Sequence, residues 1–151
     1  MSSTSDLRSH IGFWMRLVSN HVSHSFARKL DATGVTVAEW VILREMFSNK
    51  NQISPSAIAE LTGLSRGAVS KLVDRLENKK LVTRLDSASD GRYQILNLTK
   101  SGRQIVPELA QIADENDEAF FGVLSKAERT HLTSLLKKIA EDHQLTSLPT
   151  E

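Results

Sequence analysis

Five long cations stand out by position: Arg66, Lys71, Arg75, Arg84 and Arg92. Their side chains donate hydrogen bonds to phosphate oxygens, and to guanine edges when a rigid element holds them in register. Residues 65–103 carry nine Lys/Arg against four Asp/Glu, while the rest of the chain carries ten against fourteen. A net charge of +1 therefore hides one basic quarter, which is how a polyanion-facing surface reads in a sequence. An ordinary solvated surface shares that charge pattern, so spacing has to decide. Ser65 and the start of a helix can hold a phosphate oxygen, and Ser54 begins the helix before it. Gly67 and Ser70, between Arg66 and Lys71, are small enough to let a helix backbone approach a groove floor. Arg92 ends the stretch "DSASDGR", residues 86–92, with Gly91 between it and Asp90. A tight turn needs Gly and Asp but not an arginine. At the tip of a hairpin, Arg92 can enter a minor groove, whose negative potential favours an inserted guanidinium, and Asp90 can orient it. An ion pair internal to the loop is the plainer alternative.

These side chains need elements to aim them. Leu7, Ile11, Trp14, Val18, Val22, Phe26 and Leu30 recur every three or four residues, so the spacing predicts a long amphipathic helix over 6–33, stopped near Gly34. Thr36-Val-Ala-Glu39 is a capping box opening a second helix over about 37–48. Asn49-Lys-Asn51 breaks it, and Ser54-Pro55 starts a short third helix, about 55–62. Gly63 ends that helix and Ser65 caps a fourth, about 66–79. The fourth spends Val69, Leu72, Val73 and Leu76 on one apolar stripe, leaving Arg66, Gly67, Ser70, Lys71, Asp74 and Arg75 outside it. Strands at about 81–85 and 93–98 flank the "DSASDGR" loop. A fifth helix runs from near Thr99 to about 122, and Ser125-Lys-Ala-Glu128 caps a sixth. Beyond His143 the tail is polar and is expected to fray. The expected fold is mainly α, six helices with a small β-hairpin wing: a winged helix-turn-helix. Phe120, Phe121, Val123, Leu124, Leu132, Leu135 and Ile139 exceed what the small reader can cover, so either the chain folds back on them or a second chain does.

Other chemistries find less support. With no cysteine, disulfides, Cys-based zinc sites and thiol switches are excluded. There is no Gly-rich phosphate loop, His-Glu-x-x-His or Gly-x-Ser-x-Gly, so no enzyme, cofactor or metal centre is expected. The run Asp114, Glu115, Asp117, Glu118 reads as a solvated helix face. His21 and His24, three apart, would need a carboxylate from another helix to sense a metal. The first ten residues have no apolar segment and no run reaches the ~20 residues that span a bilayer, so a cytoplasmic protein without membrane contact is expected.

The chain resembles the multiple antibiotic resistance regulator (MarR) family of winged helix-turn-helix regulators. The resemblance lies in "VTVAEWVILREM", "SAIAELTGLSRGAVSKLVDRLENKKLVTR", "DGR" and "LNLTKSGR", and extends over nearly the whole length. It implies one domain over 1–151, with residues 35–100 as the DNA-binding region and helices 6–33 and 101–143 joining two copies. It implies a homodimeric, ligand-responsive repressor on pseudo-palindromic double-stranded DNA, with Asp90 and Arg92 as the wing pair. It further implies a small aromatic or phenolic inducer between the dimer helices and the reader, where Trp14 and Trp40 could line a cleft, although both also lie on apolar stripes. A non-sequence-specific or architectural DNA binder, a winged module used for protein contacts and a metal sensor using His21 and His24 remain as alternatives.

Overall fold

The computed structural model describes residues 3–86 and 94–151. The chain opens with a 3-10 turn, Leu7–Ser9, followed by α1, Ile11–Asp31. The single helix expected over 6–33 is thus interrupted at His10, whose backbone is extended (φ −86°, ψ 128°). Two local bonds stabilise the break. Asp6 caps the turn by accepting from the Arg8 N–H, and Trp14 Nε1 donates to the Arg8 carbonyl at 2.9 Å. Gly34, at φ +75°, turns the chain after α1, a conformation that L side chains resist.

Helix α2, Val37–Ser48, begins at the expected capping box: Thr36 accepts from the Glu39 N–H at 3.2 Å and Glu39 accepts from the Thr36 N–H at 3.4 Å. Lys50 and Asn51 then take positive φ, and a two-residue strand follows, β1, Gln52–Ile53. Periodicity gave no sign of this strand, because two residues are too short to show a period. Helices α3, Pro55–Thr62, and α4, Arg66–Asn78, follow at the positions their caps indicate. Gly63, at φ +70°, supplies the left-handed turn between them. Helix α4 ends in a Schellman arrangement. Lys80 takes φ +59°, the Leu81 N–H bonds the Leu76 carbonyl at 3.1 Å, and the Lys80 N–H bonds the Glu77 carbonyl at 2.9 Å.

The chain leaves α4 directly into β2, Val82–Asp86, which pairs antiparallel with β3, Gln94–Leu98. Strand β1 pairs with the other edge of β3, so the sheet order is β1-β3-β2 and the expected hairpin is part of a three-stranded sheet. Helix α5, Lys100–Phe121, is capped by Thr99, and α6, Lys126–Asp142, by the Ser125/Glu128 box.

One core joins α2, α3, α4, the sheet and the first half of α5. Ile42, Leu43, Met46, Ile58, Leu72, Leu76, Leu96 and Leu109 are fully or almost fully enclosed. Gly102 is buried here for a reason of space: a Cβ would lie 2.3 Å from the Leu81 carbonyl oxygen, so only glycine lets α5 pass the start of β2. The result is a winged helix-turn-helix carrying three flanking helices, α1, α5 and α6. The tail departs from expectation. It turns at Gln144, and the Leu148 N–H bonds the Leu61 carbonyl at 2.8 Å, so the polar end returns to α3 instead of fraying. The half-buried Leu148 side chain supplies the apolar contact that the tail's composition obscures.

Candidate nucleic-acid interface

Helix α4 divides cleanly. Val69, Leu72, Val73 and Leu76 are buried, while Arg66, Gly67, Ser70, Lys71, Asp74 and Arg75 are exposed together on the opposite side. Ser65 is exposed at the helix start, where its Oγ accepts from the Ala68 N–H at 3.2 Å. Ser54 plays the same part for α3, accepting from the Ala57 N–H at 3.1 Å, and is half-buried. Each hydroxyl keeps its own proton free to donate. A Cβ placed on Gly67 would meet nothing within 4 Å, so packing inside the chain does not require glycine there.

A cleft of about 510 Å³ opens between α3, α4 and the hairpin, with Arg66, Ser70, Arg84 and Gln94 on its walls. Gln94 and Ser56, which also lines the cleft, do not stand out in the sequence, because neither is charged. Arg84 is held from α4. Its Nη2 bonds Asp74, and its Nε lies 3.3 Å from Glu77 Oε1, outside good hydrogen-bond geometry. This guanidinium therefore braces β2 against the reader. Asp90 and Arg92 lie outside the described residues.

The two tryptophans occupy adjoining hollows that share Ser19, Val22 and Ser23 of α1 in their linings. Trp14 is 49% exposed and lines an apolar groove with Ile11, Val18, Phe120 and Leu132. Trp40 is half-buried, meets Phe26 edge to face at 6.4 Å, and lines a smaller hollow with Ser23, Asn116 and Pro149 of the tail. They do not share one cleft, and Trp14 is not in the core. Asn116 is the buried polar point of this region: Lys29 Nζ donates to its Oδ1 at 3.1 Å, and its Nδ2 donates to the Val22 carbonyl at 3.2 Å, joining α1 to α5. His21 and His24 are both exposed, and no group of three or more potential ligands gathers around a metal position among the described residues. Asp114, Glu115, Asp117 and Glu118 are all exposed, with Glu118 paired to Arg129 at 2.6 Å.

A model of the MarR family matches residues 33–92, a span that begins at the α1–α2 turn, includes β2 and stops short of β3. A Thauera aromatica protein described as a transcriptional regulatory protein for the hcr operon is 33% identical over 130 residues, covering 85% of this chain and 78% of the relative. The chain belongs to the MarR family. As a MarR-family transcriptional regulator it also superposes on solved members. A mutant MarR from E. coli complexed with operator DNA is similar at a TM-score of 0.74 and 25% identity, over 89% of this chain and 99% of that one. The S. aureus MepR–DNA complex is similar at 0.77 and 25%, over 88% and 98%. No helix among the described residues is long and apolar enough to cross a membrane.

Proposed function

We propose that the chain regulates transcription as a homodimer that reads a pseudo-palindromic operator, with one α4 in each of two successive major grooves. The exposed face of α4 carries this reading: cations at Arg66, Lys71 and Arg75, with a glycine at its start facing open space. Arg66 and Lys71 reach base edges, while Ser54, Ser65 and Arg75 hold phosphates. Arg84 sets the hairpin against α4, so that Arg92 enters the flanking minor groove with Asp90 orienting it. Similarity to MarR and MepR proteins solved with DNA supports DNA as the partner.

Dimerisation rests on a second observation. Ile11 is 80% exposed and Val123 87% exposed, and both line the same groove of about 560 Å³ between α1, α5 and α6. Leu135 and Ile139 are exposed on α6, which contributes no buried residue. An apolar face of this extent suits a second copy, and residues 6–33 and 101–143 are the helices that supply it. The hollow beside Trp40 suits a small aromatic inducer, which would act as a wedge between α1, α2 and α5, so the regulator is read as a ligand-released repressor.

The test is selection of binding sites from a random duplex library, followed by sedimentation of the selected duplex with protein. Two chains per duplex and two inverted half-sites are expected. One chain holding a half-site at full affinity, or selection of no common sequence, refutes the reading. Within it, Arg66→Ala should relax preference at one position per half-site; uniform weakening on all sequences would assign Arg66 to phosphate instead.

A further inference from the structure

The carboxylate of Glu39 is fully enclosed, at 0% exposure. Its capping role uses one oxygen, and that leaves charge to be balanced. The balance comes from forty residues away. Lys79 Nζ lies 2.8 Å from both Glu39 oxygens and donates as well to the Gly34 carbonyl at 2.6 Å. One ammonium thus joins the α1–α2 turn, the first turn of α2 and the residue that caps the C-terminus of α4. All three of its hydrogens can be used, on acceptors that cannot move without moving their own elements.

We propose that Lys79 is a positioning residue that fixes the tilt of the reader helix, and through it the separation of the two half-sites the regulator accepts. This rests on the reading of α4 as the DNA-contacting helix of a dimer. The reasoning is one of leverage. Thirteen residues make α4 about 20 Å long. Lys79 holds one end, and Arg66 and Gly67 stand at the other. A tilt of about 5° about the held end moves the far end by about 1.7 Å, which is rigid-body geometry on that length. Two-fold symmetry repeats the displacement in the partner, so the two readers separate or approach by about 3.4 Å, one base-pair step. The apolar stripe Val69, Leu72, Val73 and Leu76 resists sliding out of the core but fixes tilt less sharply, because side-chain packing is not directional. The Lys79 bonds are directional.

Removing Lys79 alone strands a buried carboxylate and lowers stability, whatever else it does. A paired variant separates the two effects. Lys79→Met with Glu39→Gln leaves no unpaired charge, keeps an acceptor for the Thr36 N–H, and still lacks the tether. Site selection from one random duplex library would be run on the wild-type chain, Lys79→Met and the double variant, with thermal melts of each. Wild type is expected to select a single half-site spacing. Lys79→Met should melt lower by about 10 °C. The double variant should recover most of that melting temperature, yet both variants should accept spacings one base pair longer or shorter. Discrimination against those spacings should fall about tenfold, the scale of one good bidentate base contact. If the double variant selects the same single spacing as wild type, Lys79 serves stability alone and the proposal is overturned. If wild type selects no inverted half-sites, the dimeric DNA reading fails, and the proposal falls with it by a distinguishable route.

Discussion

Replacing Gly67 by alanine should make the protein more stable and a worse DNA binder. Gly67 is the second residue of α4, and an added Cβ meets no atom within 4 Å. Its φ is not in the left-handed region, so alanine enters without strain. Alanine loses less backbone entropy on folding than glycine, so Gly67→Ala should stabilise each chain by about 0.5–1 kcal/mol. For a chain of this length that raises the melting temperature by roughly 2–4 °C per kcal/mol. The same methyl stands on the face shared by Arg66, Ser70 and Lys71. If the backbone there rests against a groove floor, the methyl lifts the helix start and lengthens the bonds those side chains make. Loss of one good base contact corresponds to about 1–3 kcal/mol, or roughly 5- to 150-fold in affinity.

Gly12 supplies a matched comparison. It is the second residue of α1, and a Cβ there also meets nothing within 4 Å. Gly12→Ala should give a similar rise in melting temperature with unchanged affinity for a selected operator. Calorimetry and anisotropy titration measure the two quantities separately. Gly67→Ala binding the operator as tightly as wild type while melting higher would show that the backbone of α4 does not approach the DNA, and the account of this face would be wrong.

The remaining expectations concern other parts of the molecule. Arg92→Ala should weaken operator binding by about 1 kcal/mol or more, with a salt slope smaller by roughly one and an unchanged melting temperature, as titrations at several salt concentrations would show. Val123→Glu should leave a single chain folded, because Val123 is exposed, but should raise the dimer dissociation constant by at least about a hundredfold, the loss of two valine burials; sedimentation at varied concentration reads this directly. The Ser125 backbone N–H, and after it the Ser125 hydroxyl, hold the Glu128 carboxyl below its ordinary value of 4.5. A depressed folded pKa means the cap's stabilisation is present above that ordinary value and is lost as pH falls through the folded one. A carboxylate NMR titration should therefore show the Glu128 midpoint below that of an ordinary glutamate, and moving up toward it in Ser125→Ala.

Elements with local signatures were legible in the sequence, and the physical reason is the range of the forces that form them. Both capping boxes, the Ser54 and Ser65 caps and the Gly63 turn are decided within four residues, and each appears in place. The stripe of α4 is visible because one buried face of a 3.6-residue period repeats within the helix. What failed was either too short to show a period or decided at a distance. Strand β1 has two residues and exists because β3 comes to meet it, pairing Gln52 with Asn97 and Ile53 with Leu96. The tail's return depends on a carbonyl of Leu61, more than eighty residues away. The break at His10 is held by Trp14, whose apolar character placed it on a stripe while its indole N–H was the part that acted.

Glu39 shows why a correct local reading can still be incomplete. Thr36-Val-Ala-Glu39 is fully explained as a capping box, and nothing in those four residues asks for more. A capping glutamate at a surface would leave its remaining lone pairs to water, as Glu128 does in the exposed box of α6. Glu39 is the same motif buried, and burial turns a spare lone pair into a demand for a partner. The demand selects a cation that the fold can deliver, and the residue delivered is the cap of the reader helix. Charge counts alone place Lys79 in the basic quarter with Lys71 and Arg75, as one more candidate for phosphate. Its bonds to Glu39 and the Gly34 carbonyl remove it from that set and make it a support for the residues that stay in it.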